Sequence, residues 1–204
     1  MNGFAKSLGV ELEIHTNLGG WGALLPSLVH GDGDVAVCEP TITPQREKIA
    51  AFSRPYHSTW LAIAVRQDSK IAALADLAGK RGALLSGSSH VDFLKQEAPD
   101  VPLTLTRFNQ ESFEAVENSS ADFTVVETSL APGEKVPLHP SLKVAFRLRS
   151  VGDGIAMRKE SDLLAPLNTY LTNLETSGEL KRIVERKSLV RQAGSDPRAT
   201  AMKN

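Results

Sequence analysis

One cysteine, Cys38, occurs in 204 residues, so the chain has no internal disulfide and no cysteine-based zinc cluster. Cys38 reads as a plain core residue, free cysteine being among the most buried types. The five histidines, His15, His30, His57, His90 and His139, are scattered without the spacing of a metal-ligating set. Charge of one sign is also missing: 23 Lys and Arg stand against 24 Asp and Glu, a net charge of -1, with no basic cluster. That balance offers no field to gather nucleic acid or an anionic membrane surface. No apolar run approaches the roughly 20 residues needed to span a bilayer. No charged start followed by an apolar stretch and a small-residue cleavage site marks a secretion signal. The sequence further lacks a GxSxG elbow, an HExxH pair, a P-loop and a GxGxxG turn. No catalytic set assembles, so the expectation is a protein that is not an enzyme and uses no metal or cofactor.

What is present is ordinary for a globular chain, with 41% hydrophobic and 23% charged residues in a length that suits one domain or two small ones. Residues 1–9 read as the tail of a helix closed by Gly9, and Val10 to His15 as a strand of alternating apolar and acidic residues. Trp21 to Gly31 has apolar residues at helical spacing, with Pro26 inside it. Strands are expected at Leu61 to Arg66, Arg81 to Leu85, Leu103 to Arg107 and Asp122 to Val126. The helices Ala73 to Leu77, Val91 to Glu97 and Glu111 to Asn118 fall between them. This βαβ rhythm predicts an α/β fold whose sheets are mostly parallel and flanked by helices. Pro132 to Pro140 reads as a loop, Leu142 to Phe146 and Ile155 to Met157 as short strands, Ser161 to Lys187 as helix broken at Ser177 and Gly178, and Gln192 to Asn204 as a disordered tail.

The most informative stretch is Gly33 to Tyr56. Val35 to Cys38 forms a short buried strand, and Pro40 and Pro44 bracket a turn carrying Thr41, Thr43 and Arg46. A hydroxyl and a guanidinium at the carboxyl end of a buried strand anchor a small carboxylate, because arginine offers a planar bidentate fork. The order Thr41, Ile42, Thr43, Pro44, Arg46, then Phe52, Ser53, Pro55, Tyr56, resembles the fingerprint of the type II periplasmic solute-binding proteins, in the branch that binds polar amino acids. The resemblance implies two lobes: residues 1–62, the first part of lobe 1; residues 63–153, lobe 2; residues 154–190, the return to lobe 1; and residues 191–204, a tail. It implies a hinge with Gly152 and Gly154 at one crossing. It also implies that about 30 residues of the family pattern, one strand plus crossover, would precede Met1. The first lobe would then be incomplete and poorly stable, and ligand binding weakened or altered.

Three segments would supply the ligand site, beyond the carboxyl ends of strands. By resemblance Arg46 clamps an α-carboxylate, Thr41 and Ser88 or Ser89 add hydrogen bonds at a helix amino end, and Glu127 takes the place of an aspartate that accepts from an α-ammonium. Glu39 would add a second carboxylate and favour a ligand with extra positive charge. Each residue also has an ordinary structural use. Arg46 can pair on a surface with Glu47 or Glu39, Thr41 can cap the turn, Ser88 or Ser89 can cap the next helix, and Glu127 can sit in the first turn of one. Trp21 reads as helix core, while Trp60 is divided between core and stacking.

The resemblance implies a monomeric, periplasmic or extracellular protein that delivers an amino acid to the membrane subunits of an ABC transporter. Two alternatives share the fold. One is a ligand-sensing domain of a larger envelope protein, a lytic transglycosylase or receptor kinase. The other is a cyclohexadienyl dehydratase-like enzyme, with Glu127 or Glu39 as the acid.

Overall fold

The structure, a computed structural model, describes residues 1–16, 20–37, 40–128 and 130–183. In chain order its elements are α1 (Asn2–Ser7), α2 (Leu24–His30), β1 (Val35–Ala36), α3 (Pro44–Glu47), β2 (Ala51–Phe52) and β3 (His57–Arg66). There follow β4 (Gly82–Leu85), α4 (Ser89–Glu97), β5 (Leu103–Thr106), α5 (Asn109–Glu117) and β6 (Thr124–Thr128). Last come β7 (Lys135–Val136), β8 (His139–Asp153), β9 (Ala156–Met157) and α6 (Leu164–Thr176). The chain divides into two compact units. The first gathers the described residues of Met1–Gly19, Ala23–His57 and Gly152–Val190; the second holds Gly20–Gly22 and Ser58–Val151.

In the first unit, β9 lies between β1 and β2 and runs antiparallel to both. Phe4 of α1 packs with Ile155, Met157, Leu167 and Leu171 into one apolar cluster, and Leu28, Ala36 and Ala156 form a second. Pro26 falls in the first turn of α2, where its missing N–H costs nothing because no intrahelical acceptor exists there. Gly31 ends that helix in the left-handed conformation, φ 104°. The strand expected over Val10 to His15 does not form. Its residues are exposed, Ile14 by 80%. Alternating apolar residues make a strand only against a partner, and no described strand pairs with them.

The second unit is built on the four-stranded order β6-β3-β8-β7, with β4 and β5 joined to it through the bridge between Gly82 and Phe123. β3 alternates cleanly. Leu61, Ile63 and Val65 enter a cluster with Leu84, Leu94 and Phe123, while Ala62 and Ala64 face a second with Val116, Leu142 and Val144. Pairing is mixed rather than mostly parallel. β4 with β5 and the Gly82–Phe123 bridge are parallel, whereas β3/β6, β7/β8 and the first unit's pairs are antiparallel. A parallel pair needs a crossover, and α4 and α5 supply one only for β4, β5 and β6. The expected short strand Leu142 to Phe146 is the middle of the 15-residue β8, which begins inside the predicted loop.

Candidate functional site

In the first unit, Thr41 forms an antiparallel bridge with Asp153, and the Ile42 N–H donates to the Gly152 carbonyl at 2.9 Å. Thr43 adopts an extended conformation and its Oγ1 accepts from the Arg46 N–H at 3.2 Å, capping α3, whose first residue is Pro44. The short helix turns the Arg46 side chain back over its own loop, where Nη1 donates to the Thr41 carbonyl at 2.9 Å. Arg46 is 9% exposed and Thr41 is buried. The reading of Arg46 as a solvent-facing surface residue is therefore excluded.

Asp153, which the sequence reading took only as part of a glycine-rich crossing, is 1% exposed and lies 3.4 Å from His57 Nδ1. Its flanking glycines are close to neighbours: a Cβ at Gly154 would stand 3.0 Å from Ile42 Cδ1 and 3.1 Å from the Ser53 carbonyl. Glu39 and Cys38 lie outside the described residues, as do the predicted tail and the last residues of the final helix.

In the second unit, β4 runs into Ser86 and Gly87 and then into α4. Gly87 has φ +74°, and a Cβ there would meet the Cα of Gly22 at 2.6 Å, so this turn admits glycine alone. Ser88 occupies the N-cap position, but its hydroxyl donates back to the Leu85 carbonyl at 2.7 Å instead of accepting from the helix. Ser89 opens α4, and both serines are buried. Glu127 is not in a first helical turn: β6 continues through Thr128, and Glu127 sits opposite Leu61 of β3. His90, in the first turn of α4 and 7% exposed, places Nε2 3.3 Å from Glu127 Oε1. Sequence reasoning missed His90; its one signal was its place directly after Ser88 and Ser89 at a helix start. Thr41 and Arg46 are thus joined in the first unit, and His90 and Glu127 meet in the second, with Ser88 and Ser89 directly before His90 in the chain. Trp60 is 38% exposed, with the Arg147 guanidinium 5.2 Å from its ring centroid. Trp21 lies half-buried in a single 3-10 turn.

In the first unit a buried threonine and arginine sit on one capped turn, and in the second two buried serines open a helix whose His90 contacts a carboxylate. Among the described residues no group of His, Cys, Asp and Glu has the arrangement of a metal site, and no helix is long and apolar enough to cross a membrane.

Comparison with known proteins places this chain in a class. Residues 1–187 match the model of the bacterial extracellular solute-binding proteins, family 3, and the chain belongs to that family. The two-lobed type II fold follows, in agreement with the sequence fingerprint. The chain is 33% identical over 198 residues to the membrane-bound lytic murein transglycosylase F of Ectopseudomonas mendocina (strain ymp), covering 90% of this chain and 39% of that protein. It is 27% identical over 168 residues to the ABC transporter arginine-binding protein 1 of Escherichia coli (strain K12), covering 79% and 68%. The arginine-bound form of truncated ArgBP from T. maritima superposes with a TM-score of 0.74 at 32% identity, covering 84% of this chain and 81% of that one. The chain spans about two fifths of the length of the transglycosylases it matches. These relatives correct one expectation. The reading of the protein as no enzyme is contradicted by similarity, along nine-tenths of the chain, to proteins named as enzymes.

Proposed function

We propose that this chain binds an L-amino acid with a cationic side chain, and that L-arginine is the ligand to try first. The buried Arg46 with Thr41 at its base carries the proposal: a guanidinium fixed in this way loses little entropy on gripping a carboxylate. In this reading Arg46 and Thr41 hold the α-carboxylate with help from Ser88 or Ser89, while Glu127 accepts from the ligand's cationic groups and Glu39 adds negative charge. The lobes, residues 1–62 with 154–190 and residues 63–153, close on the ligand by rotation near Gly152 and Gly154. The arginine-binding names among the relatives support the choice of ligand. Delivery to an ABC transporter, outside the cytoplasmic membrane and as a monomer, is the corresponding role.

The transglycosylase relatives favour a second reading, in which the same module senses the ligand for a membrane-bound lytic transglycosylase. The gene separates the two, since a sensor would be encoded in one frame with a catalytic region. Ligand binding itself is tested by thermal unfolding with each of the twenty L-amino acids. A ligand at 100 times its Kd stabilises by about 2.7 kcal/mol, which for a chain of this size raises Tm by several degrees, roughly 2–4 °C per kcal/mol. Absence of a shift with any of the twenty would sink the reading.

A further inference from the structure

We propose that Val10 to His15, in the first unit, is an acceptor strand for an extended peptide segment in which apolar and basic residues alternate. The inference is independent of the amino-acid ligand. Residues 10–16 are all exposed and belong to no helix or strand. Their start is fixed by α1, where the Val10 N–H donates to the Ala5 carbonyl at 3.1 Å. Among the described residues no backbone hydrogen bond reaches residues 11–16. A row of exposed, unmatched N–H and C=O groups is a template on which a further strand can add.

The side chains say what that strand carries. In extended backbone successive side chains point to opposite faces, so Val10, Leu12 and Ile14 share one face and Glu11, Glu13 and His15 the other. The apolar three are 56%, 37% and 80% exposed. An adjoining strand with apolar residues at the matching places takes part of that surface out of water.

The polar face selects the partner. His15 Nε2 lies 2.9 Å from Glu13 Oε1, and among the described residues no lysine or arginine pairs with either glutamate. A second copy of this chain does not fit. Two arrangements lay all three apolar residues against their counterparts, antiparallel about Leu12 or parallel in register. Both set glutamate opposite glutamate, and like charges directly opposite destabilise a strand pair. Lysine or arginine in those places meets Glu11 and Glu13 with the complementary charge. The occupant is therefore a segment of alternating apolar and basic residues.

A short acetylated and amidated peptide alternating valine and lysine is the probe. Two others serve as comparisons: one with glutamate in place of lysine, and one of valine and lysine in the same numbers with the lysines grouped together. Amide hydrogen exchange and calorimetric titration are measured on the full chain. The alternating lysine peptide should slow exchange at the amides of Glu11 to His15, bind about tenfold more tightly than either comparison, and weaken as salt is raised. The double variant Glu11→Lys with Glu13→Lys should reverse the choice and prefer the glutamate peptide by about tenfold, since two favourable cross-strand pairs become repulsive. Both glutamates are exposed, so this exchange of charge leaves the packing of the unit in place. Unchanged exchange at residues 11–15, or equal binding of the alternating and grouped lysine peptides, overturns the proposal. A glutamate peptide that binds the wild type as well as the lysine peptide overturns it too. Protection of the same amides that grows with protein concentration in the absence of peptide assigns the segment to a second copy, and so contradicts the proposal.

Discussion

Arg46 and Asp122 illustrate two different uses of an ion in this chain. Arg46 is buried against its own backbone, with Nη1 on the Thr41 carbonyl, so the turn holds its guanidinium in place before any ligand arrives. Asp122 is a surface strut: it accepts from Arg81 Nε at 3.1 Å, from Arg81 Nη2 at 3.0 Å and from the Arg81 backbone N–H at 2.8 Å. The hydrogen bonds from the Arg81 side chain hold the Asp122 carboxyl below its ordinary range. A carboxylate so depressed stabilises the fold above its unfolded pKa, and that contribution disappears as pH falls through the folded value. Asp122→Asn should therefore lower Tm at pH 7, and the gap from wild type should close as the pH is taken below the ordinary aspartate range near 3.8. An equal gap at pH 7 and pH 2.5 would show that the residue acts through packing instead. The Glu117 carboxyl is likewise held below its ordinary range, first by the Ser141 hydroxyl at 2.7 Å and then by His139.

At the scale of elements, the turn from β4 into α4 is the most constrained piece of the candidate site. Gly87 combines a positive φ with a backbone neighbour that cannot move aside cheaply, the Cα of Gly22. Gly87→Ala should cost about 1–3 kcal/mol and displace Ser88, Ser89 and His90, seen as a lower Tm together with weaker ligand binding. A variant as stable as wild type would mean that the turn tolerates a side chain.

The elements also show where sequence was a good guide and where it was not. β3, β4, α4 and α5 were legible because each has its own apolar period, as in Leu61, Ile63 and Val65. β8 was expected only over Leu142 to Phe146, where the apolar residues are densest, whereas in the structure Arg147, Arg149 and Ser150 are the later part of one continuous strand. The strand expected at Asp122 to Val126 ended with its last apolar residue, which left Glu127 outside the strand that positions it. Val10 to His15 failed in the opposite way, an alternating pattern with no partner to pair with. In the site, Thr41 and Arg46 were readable because a proline-bracketed turn dictates their spacing. His90 was not, since a single imidazole after two serines has no period, and its value comes from a contact with a residue 37 positions away.

At the scale of the whole molecule, the two units have unequal cores. The second has two large clusters on the two faces of one sheet, including fully buried Phe123, Leu84 and Leu142. The first relies on smaller clusters around two-residue strands and leaves Val10, Leu12 and Ile14 exposed. Amide hydrogen exchange should then be slowest in β3, β4 and β6 and faster throughout β1, β2 and β9, because protection follows local burial. Equal protection in both would contradict that division of stability.

The chain's membership of an extracellular solute-binding family and its buried arginine meet in one claim, that Arg46 grips the carboxylate of an amino acid. The most direct test is the dissociation constant of L-arginine for wild type and for Arg46→Ala, each shown to be folded by circular dichroism. Losing one partner of a buried charge pair costs about 2–5 kcal/mol, so the account predicts at least a thirtyfold weaker complex, about tenfold for each 1.4 kcal/mol. An Arg46→Ala protein that binds L-arginine as tightly as wild type would contradict it.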